Sequence, residues 1–342
     1  MRIPSLFGLR AVCITFVLLA HLSGTRHFIR SSVLELYGNL GSRIFLVLSG
    51  FLITSQLLRE HERTGTISLK KFYIRRAYRI FPAAYVFMAV TITANWDVLS
   101  ATNIITALTY CVNFYRGQWV LGHLWSLGVE EQFYVLWPLA FLVFFRKKEV
   151  IVGVTVGAVP VLRILLWLIT AHAPTGRQFP LYMDALAVGC ALALIQPRLV
   201  RYWKLFRASW FAIVPIATVL LPLTQLWSTR LYQAVGITML HFCIALSLQQ
   251  VVARPYEILN LKPVAWFGSI TYSLYLWQQL FLNRTSNALW AAFPVNLLLA
   301  LLCGTLSYYA IEQPFLKLRE RRAPKREVQQ LPATAETQAS VA

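Results

Sequence analysis

The 342 residues are 58% hydrophobic and 14% aromatic, and only 13% of them are charged. This composition excludes a soluble globular protein and indicates a polytopic membrane protein. The net charge of +19 does not indicate a protein that binds nucleic acid, because the basic residues lie between apolar segments and not on one exposed face. We expect membrane lipid head groups and phosphorylated ligands as their partners.

Ten apolar runs follow one another along the chain, most of them close to the length that crosses a bilayer. They cover residues 7–22, 40–58, 78–94, 126–145, 150–170, 182–196, 209–226, 232–252, 264–283 and 289–311. The stretch 101–121 is also apolar, but its polar residues predict an interfacial or re-entrant helix. The sequence therefore predicts an all-α integral membrane protein, a bundle of about ten transmembrane helices.

The Lys and Arg residues predict the orientation, since cytoplasmic loops carry most of them. With the N-terminus in the cytoplasm, 24 of these residues fall in inner segments and seven in outer segments. We therefore predict that both termini are cytoplasmic. Residues 1–318 are expected to form the membrane domain, and residues 319–342 a disordered, basic cytoplasmic tail.

The first run carries two ionisable side chains, Arg10 and His21. Eleven residues of helix rise about 16 Å and turn about 1100°, so the two side chains share one face. Taken singly, Arg10 fits a residue that reaches lipid phosphates, and His21 fits the membrane interface. Their common face makes them candidates for one site.

Ser49 and Gly50 interrupt the second run. A pair of small residues at this depth usually allows helices to pack closely. It can also let a ligand approach the backbone, and both interpretations stay open.

The segment KKFYIRRAYRIFPAAY precedes and begins the third run, with Pro82 expected to help start the span. Arg75 and Arg79 are spaced to share a helix face, and Arg76 lies beside them. Guanidinium groups suit bidentate phosphate binding, so this cluster predicts a site for a ligand with several phosphates. The two lysines of the segment fit a topology anchor.

The segment GHLWSLGVEEQFYVLWP places Glu130, Tyr134 and Trp137 on one helix face, whereas Glu131 points about 100° away. Carboxylates within a span are costly, which favours a functional role for Glu130. Glu131 fits the rim.

Further polar residues lie near the outer ends of later runs, namely Asp184, Tyr275 and Gln278. Together with His21 and Glu130, Asp184 and Gln278 fall at similar depth on four helices. This convergence predicts a polar site open to the outer leaflet. The five cysteines form no Cys/His cluster, so we expect neither disulfides nor a metal site.

These ordered motifs resemble those of the acyltransferase 3 family of membrane acyltransferases, from about residue 3 to residue 315. The matching residues are Arg10 and His21; Ser49, Gly50 and Phe51; Arg75, Arg76, Arg79, Ile80, Pro82 and Tyr85; Trp125, Ser126, Leu127, Glu130, Phe133 and Tyr134; and Tyr272, Ser273, Tyr275, Leu276 and Trp277.

Three positions depart from the family pattern. Phe7 stands where Asp is common, Tyr182 where Arg is common, and Gln278 where His is common. Phe7 leaves Arg10 without a near carboxylate, and Gln278 argues against an acid/base group at that position.

The resemblance implies an O-acyltransferase of the bacterial plasma (inner) membrane. Its co-substrate would be an acyl-CoA, acetyl-CoA foremost, with no tightly bound cofactor, and its acceptor a hydroxyl of a saccharide or lipid-linked saccharide. His21 would be the general base, with Glu130 holding its imidazole. The residues expected to bind the donor are Arg10, Arg75, Arg76 and Arg79. The candidates for acceptor binding or for polarising the thioester are Ser49, Gly50, Trp125, Ser126, Tyr134, Asp184 and Tyr275.

Two other classes of function fit parts of the pattern. A transporter or flippase of a glycan or lipid would use intramembrane His, Glu and Asp side chains as a proton relay. A catalytically silent binding protein is the third class, and the presence of both His21 and Glu130 argues against it. The sequence leaves open the acceptor, the acyl length, the oligomeric state and the choice between direct transfer and an acyl-histidine intermediate.

Overall fold

The computed structural model describes residues 5–115, 117–170 and 179–322, except for the side chain of Thr170. All regular secondary structure in these ranges is helical, and no strand occurs in them. The α-helices are α1 Leu6–Leu22, α2 Ser32–Thr64, α3 Leu69–Ala94, α4 Ala101–Leu108, α5 Trp119–Gly122, α6 Leu124–Val143, α7 Lys148–Thr170, α8 Met183–Leu199, α9 Trp203–Arg207, α10 Ile213–Leu220, α11 Thr229–Leu231, α12 Ile237–Ala253, α13 Glu257–Asn260, α14 Lys262–Ser269, α15 Thr271–Phe281, α16 Val295–Ser307 and α17 Gln313–Arg322.

Shorter helical turns extend or connect these helices. The 3₁₀ turns are Val112–Phe114, Phe145–Lys147, Phe179–Leu181, Val200–Tyr202, Ser209–Ala212, Leu221–Leu226 and Leu289–Ala291. Two π-helical turns, Tyr232–Gly236 and Tyr308–Glu312, lead into α12 and α17.

Seven helical stretches of the described residues are long and apolar enough to cross a membrane. They are Ser32–Thr64, Leu69–Ala94, Phe145–Ile169, Met183–Arg207, Ser209–Leu226, Thr229–Ala253 and Val295–Arg322. Helix α1 is also apolar but has only 17 residues. The prediction of an all-α, multi-pass membrane protein is confirmed, whereas the predicted number of about ten spans is not established.

Several predicted segments have different bounds in the structure. The run at 264–283 is broken at Ile270, between α14 and α15. The short run at 182–196 continues in helical turns as far as Arg207. In the stretch 101–121, the described residues form α4, the 3₁₀ turn Val112–Phe114 and the start of α5, in place of one interfacial or re-entrant helix. The predicted tail beyond Arg322 lies outside the described residues.

Helix α3 begins at Leu69, earlier than the predicted start at residue 78. Ser68 caps it, since the Ser68 hydroxyl accepts a hydrogen bond from the backbone N–H of Lys71 at 3.4 Å. Pro82 therefore lies inside the helix and does not start it. The arginines of the cluster therefore lie on α3 and point in directions set by its helical spacing.

Helices α2 and α8 pack with their backbones in close contact, and two glycines make this possible. A Cβ atom on Gly50 would collide with the carbonyl oxygen of Leu186, and one on Gly189 with the carbonyl oxygen of Val47. Gly50 is therefore a packing residue. The expectation that a ligand approaches its backbone is wrong, because α8 fills that space.

Candidate active site

Two cavities meet inside the bundle, near opposite ends of α1. The arginine cavity, of about 270 Å³, is lined by Arg10, Arg76 and Arg79 among others. The histidine cavity, of about 670 Å³, is lined by His21. Further polar or aromatic lining residues of the arginine cavity are Ser49, Ser126, Glu130, Tyr134 and Tyr272. Those of the histidine cavity are Glu35, Asn39, Asn113, Trp119, His123, Trp125, Gln279 and Arg284. Ser42 and Tyr275 line both cavities.

Three guanidinium groups face the arginine cavity, one from α1 and two from α3. Within the described residues, none of Arg10, Arg76 and Arg79 forms an ion pair with a carboxylate. The Nε atom of Arg10 is buried and has no hydrogen-bond partner there, as expected from the apolar Phe7. Arg76 lies over the ring of Tyr134, 4.9 Å from its centroid. An anionic ligand would supply the partners that these cations lack.

Arg75 does not belong to this group. Its Nη2 atom pairs with the Glu60 carboxylate of α2 at 2.9 Å, and its side chain is not part of the cavity lining. Residues one position apart on a helix point about 100° from each other, so Arg75 and Arg76 meet different neighbours. The predicted donor set of four arginines is therefore reduced to three.

Glu130 lines the arginine cavity and is held by two hydroxyl groups. The Ser49 hydroxyl donates to its Oε1 at 2.8 Å, and the Tyr134 hydroxyl donates to its Oε2 at 3.3 Å. These are its hydrogen bonds within the described residues, and His21 is not a partner. The predicted pairing of Glu130 with His21 is wrong, because α6 presents the carboxylate to the middle of α2.

His21 contacts Gln278 on α15. The imidazole Nδ1 lies 2.8 Å from the Gln278 Oε1, and Gln278 is 0% exposed. The Gln278 amide nitrogen faces the carbonyl oxygen of Tyr275 at 3.5 Å and the Oε1 of Gln279 at 3.4 Å. An amide oxygen only accepts, so Nδ1 carries the proton and Nε2 is the basic nitrogen. Of the four residues predicted to converge, His21 and Gln278 are in contact.

Aromatic side chains surround the histidine. The Trp119 ring meets the imidazole edge-on, with 5.5 Å between centroids. Trp125 lines the same cavity and packs on the ring of Tyr182 at 5.0 Å. Trp125 therefore shares a cavity with His21, and Tyr182 packs against Trp125.

Tyr275 lies at the boundary of the two cavities. Its hydroxyl is 2.7 Å from the Ser126 hydroxyl, and it donates a hydrogen bond to the backbone carbonyl of His123. Both partners belong to the beginning of α6. Ser126 and Tyr275, two of the predicted site residues, are therefore brought together.

Asp184 lies apart, in a separate buried cluster. It is 0% exposed and pairs with Arg163, with the Nδ1 of His241 at 3.1 Å and with the Thr238 hydroxyl at 2.8 Å. Arg43 donates to the other ring nitrogen of His241 at 3.0 Å. Asp184 lines neither cavity, so its expected place in the polar site is wrong. Helices α7 and α12 supply its partners and hold it between them.

Several residues of the histidine cavity were missed by the sequence analysis, and Trp119, Gln279 and Arg284 are examples held by hydrogen bonds. Trp119 and Gln279 are joined by two hydrogen bonds: the indole N–H donates to the Gln279 carbonyl at 3.1 Å, and the Gln279 amide donates to the Trp119 carbonyl at 2.8 Å. Arg284 pairs with Glu35 at 2.8 Å and donates to the Ala20 carbonyl at 2.6 Å. Their only signal was a position at or near the end of an apolar stretch, which interfacial residues share.

The described residues contain no group of three side chains that could hold a metal ion. The groups suited to a co-substrate are the three arginines, which match phosphate oxygens in charge and geometry. The imidazole of His21 in the histidine cavity suits proton transfer. Together the two cavities can bind an anion in one compartment and a neutral hydroxyl compound in the other.

Comparison with known proteins agrees with this interpretation of the two cavities. Over 92% of its length, the chain is 27% identical to the peptidoglycan O-acetyltransferase OatA of Listeria monocytogenes, covering 56% of that protein. It is 29% identical to the O-acetyltransferase OatA of Staphylococcus aureus over the same share of the chain, covering 57% of that protein. The chain thus spans little more than half the length of these relatives. No solved structure matches the chain.

A family model described as an acyltransferase domain matches residues 3–312. The match covers α1 to α16, including all the residues of both cavities. The chain therefore belongs to the acyltransferase 3 family.

Proposed function

We propose that this chain is a membrane O-acyltransferase that moves an acetyl group from acetyl-CoA to a hydroxyl of a saccharide polymer such as peptidoglycan. The observation that carries the proposal is the meeting of the two cavities at Ser42 and Tyr275. An anionic donor and a hydroxyl acceptor have separate approaches to this junction. The activities named for the two relatives support the choice of acetyl group and acceptor.

The donor site is the arginine cavity. CoA is anionic at its nucleotide end and neutral at its thioester, so Arg10, Arg76 and Arg79 hold the phosphates while the pantetheine arm extends towards Tyr275. Arg10 and His21 are about 16 Å apart along α1, which is close to half the thickness of the hydrocarbon core. An extended pantetheine arm covers that distance.

The acceptor site is the histidine cavity. Trp119 and Trp125 offer indole surfaces, and Asn39 and Asn113 offer amide donors and acceptors. Flat aromatic surfaces combined with amides suit the apolar faces and hydroxyl groups of a sugar. The larger of the two cavities thus has the volume and the chemistry for a saccharide unit.

The chemical step takes place between the two sites. Nε2 of His21 accepts the proton of the acceptor hydroxyl while the hydroxyl oxygen attacks the thioester carbonyl carbon. The C–S bond breaks, the ester forms, and the proton passes from the imidazolium to the departing CoA thiolate. Gln278 keeps the proton of the resting imidazole on Nδ1 and so leaves Nε2 basic.

We place the protein in the bacterial plasma membrane, with both termini and the arginine cavity on the cytoplasmic side. The excess of Lys and Arg in the inner segments supports this orientation, and the relatives are bacterial. A tag at residue 342 and a tag at Trp227, which is 95% exposed, should be accessible from opposite sides of the membrane. Accessibility from one side would contradict the orientation.

The decisive experiment measures transfer directly. The purified protein in lipid nanodiscs receives radiolabelled acetyl-CoA and peptidoglycan oligosaccharides, and both labelled oligosaccharide and free CoA are quantified. We expect His21→Ala to lower transfer by about 10²-fold to 10⁴-fold. The control His27→Asn changes an exposed histidine with φ of 63°, a conformation that Asn tolerates.

The measurement of CoA release also distinguishes the proposed enzyme from a transporter or flippase. A transporter or flippase would move a glycan or lipid across the bilayer of proteoliposomes without releasing CoA. Normal transfer by His21→Ala would exclude the proposed mechanism, and the absence of CoA release by the parent protein with any saccharide acceptor would exclude the proposed activity.

A further inference from the structure

Only two side chains, Ser42 and Tyr275, border both cavities within the described residues. Ser42 is small, and its hydroxyl donates to the Gly38 carbonyl of its own helix at 3.3 Å. It therefore takes little of the space at the junction. The phenol ring of Tyr275 is the larger group, so it is the side chain best placed to separate the two cavities.

The ring is fixed at both its polar end and its flank. Its hydroxyl is held between the Ser126 hydroxyl and the His123 carbonyl. Since the phenol proton goes to the carbonyl, Ser126 is the donor of the bond between the two hydroxyls. The ring also packs against the His123 ring, with 5.2 Å between centroids. Moving the ring aside breaks two hydrogen bonds to the beginning of α6.

A reaction between these cavities needs such a barrier, because water competes with the acceptor hydroxyl. Water in the histidine cavity can attack the same thioester carbonyl carbon with His21 as the base. The C–S bond then breaks to give acetate and CoA, and the acetyl group is lost. Exclusion of water from a reactive donor is a recognised contribution of an active site.

We propose that Tyr275 is the gate residue of this enzyme, which separates the donor from the histidine cavity until an acceptor is bound and so favours transfer over hydrolysis. This inference rests on the proposed function. It assigns to Tyr275 a role in the choice between two acceptors, the saccharide hydroxyl and water. Ser126 acts through Tyr275 and is a positioning residue.

The test measures CoA release from acetyl-CoA with and without peptidoglycan oligosaccharides, using the purified full chain in nanodiscs. For the parent protein we expect release to depend on the acceptor. Tyr275→Ala should raise release without acceptor by about tenfold or more. Tyr275→Phe and Ser126→Ala keep the ring but remove hydrogen bonds at its hydroxyl, so they should give smaller increases and serve if Tyr275→Ala does not fold.

Tyr309→Ala is the matched control. Tyr309 is 55% exposed, accepts a hydrogen bond from the Trp266 indole at 3.0 Å and lines neither cavity. Release that stays dependent on the acceptor in all three gate variants would overturn the inference.

A second readout keeps the gate testable if the proposed activity fails. Joining the two cavities opens a route for water between them, so Tyr275→Ala should increase the proton permeability of proteoliposomes over that of the parent protein and of Tyr309→Ala. If the parent protein releases no CoA with any acceptor, the proposed function is refuted, and this permeability alone decides the gate. Equal permeability would then overturn it.

Discussion

The division of the arginine cluster gives a quantitative prediction for donor binding. Arg76 and Arg79 line the cavity, whereas Arg75 is bound to Glu60. A hydrogen bond to a charged group contributes about 1.5–3 kcal/mol, and 1.4 kcal/mol corresponds to a tenfold change in Kd. Arg76→Ala or Arg79→Ala should therefore raise the Kd for CoA by about 10-fold to 100-fold.

Arg75→Ala removes a partly exposed ion pair, in which the side chains of Arg75 and Glu60 are 30% and 17% exposed. Such pairs contribute about 0–1 kcal/mol, and they do so outside the cavity. In Arg75→Ala the Kd for CoA should change by at most about fivefold. The same limit should hold for the control Lys70→Ala, which changes an exposed lysine. The sequence alone predicted that Arg75 would behave like its two neighbours.

Isothermal titration calorimetry with the detergent-solubilised protein can measure these values. CoA and pantetheine are compared as ligands, because pantetheine lacks the phosphates of CoA. The losses in Arg76→Ala and Arg79→Ala should appear with CoA and not with pantetheine, and they should shrink as the salt concentration rises. Equal, small effects for all four variants, or the largest effect for Arg75→Ala, would refute the assignment of the cavity as a phosphate site.

The other predictions concern the histidine and the helix packing. Gln278→Leu removes the acceptor for the His21 Nδ1–H and should lower kcat about 10-fold to 100-fold with little change in the KM for acetyl-CoA. Steady-state kinetics that show a change in KM alone would contradict this prediction. Asp184→Ala breaks a buried charge cluster and should lower the free energy of unfolding by about 3–5 kcal/mol, and an unchanged Tm in detergent would count against it. Gly50→Ala forces α2 and α8 apart and should lower the free energy of unfolding by about 1–3 kcal/mol. In the control Gly153→Ala the new Cβ meets nothing within 4 Å, so this variant should be neutral or stabilising by about 0.5–1 kcal/mol. Equal shifts in Tm for the two variants would refute the packing argument.

The helical class followed from the sequence because long apolar runs have few alternatives in a membrane. The ends of the helices did not follow, because polar turns extend several of them beyond the apolar run. Helix α2 runs from Ser32 to Thr64, well outside the apolar run at 40–58. Gly65 caps its C-terminus, with φ of 69° and a hydrogen bond from its backbone N–H to the His61 carbonyl.

The membership of the site was predicted in part, because depth along a helix can be read from sequence but rotation about its axis cannot. His21, Glu130, Asp184 and Gln278 were placed at similar depth, yet only His21 and Gln278 are in contact. Glu130 is turned to Ser49. Asp184 and Arg75 are each held by ion-pair partners on other helices.

The neutral partner of His21 limits what that partner contributes to catalysis. A carboxylate beside a catalytic imidazole both fixes its tautomer and stabilises the imidazolium that forms. An amide such as Gln278 fixes the tautomer but carries no charge to stabilise the cation, so its loss should cost only the orienting share of the effect. The loss in Gln278→Leu should therefore be clearly smaller than the loss of about 10²-fold to 10⁴-fold in His21→Ala. If the two variants and their double mutant lost the same activity, the pair would act as one unit, and the amide would have to do more than orient the ring.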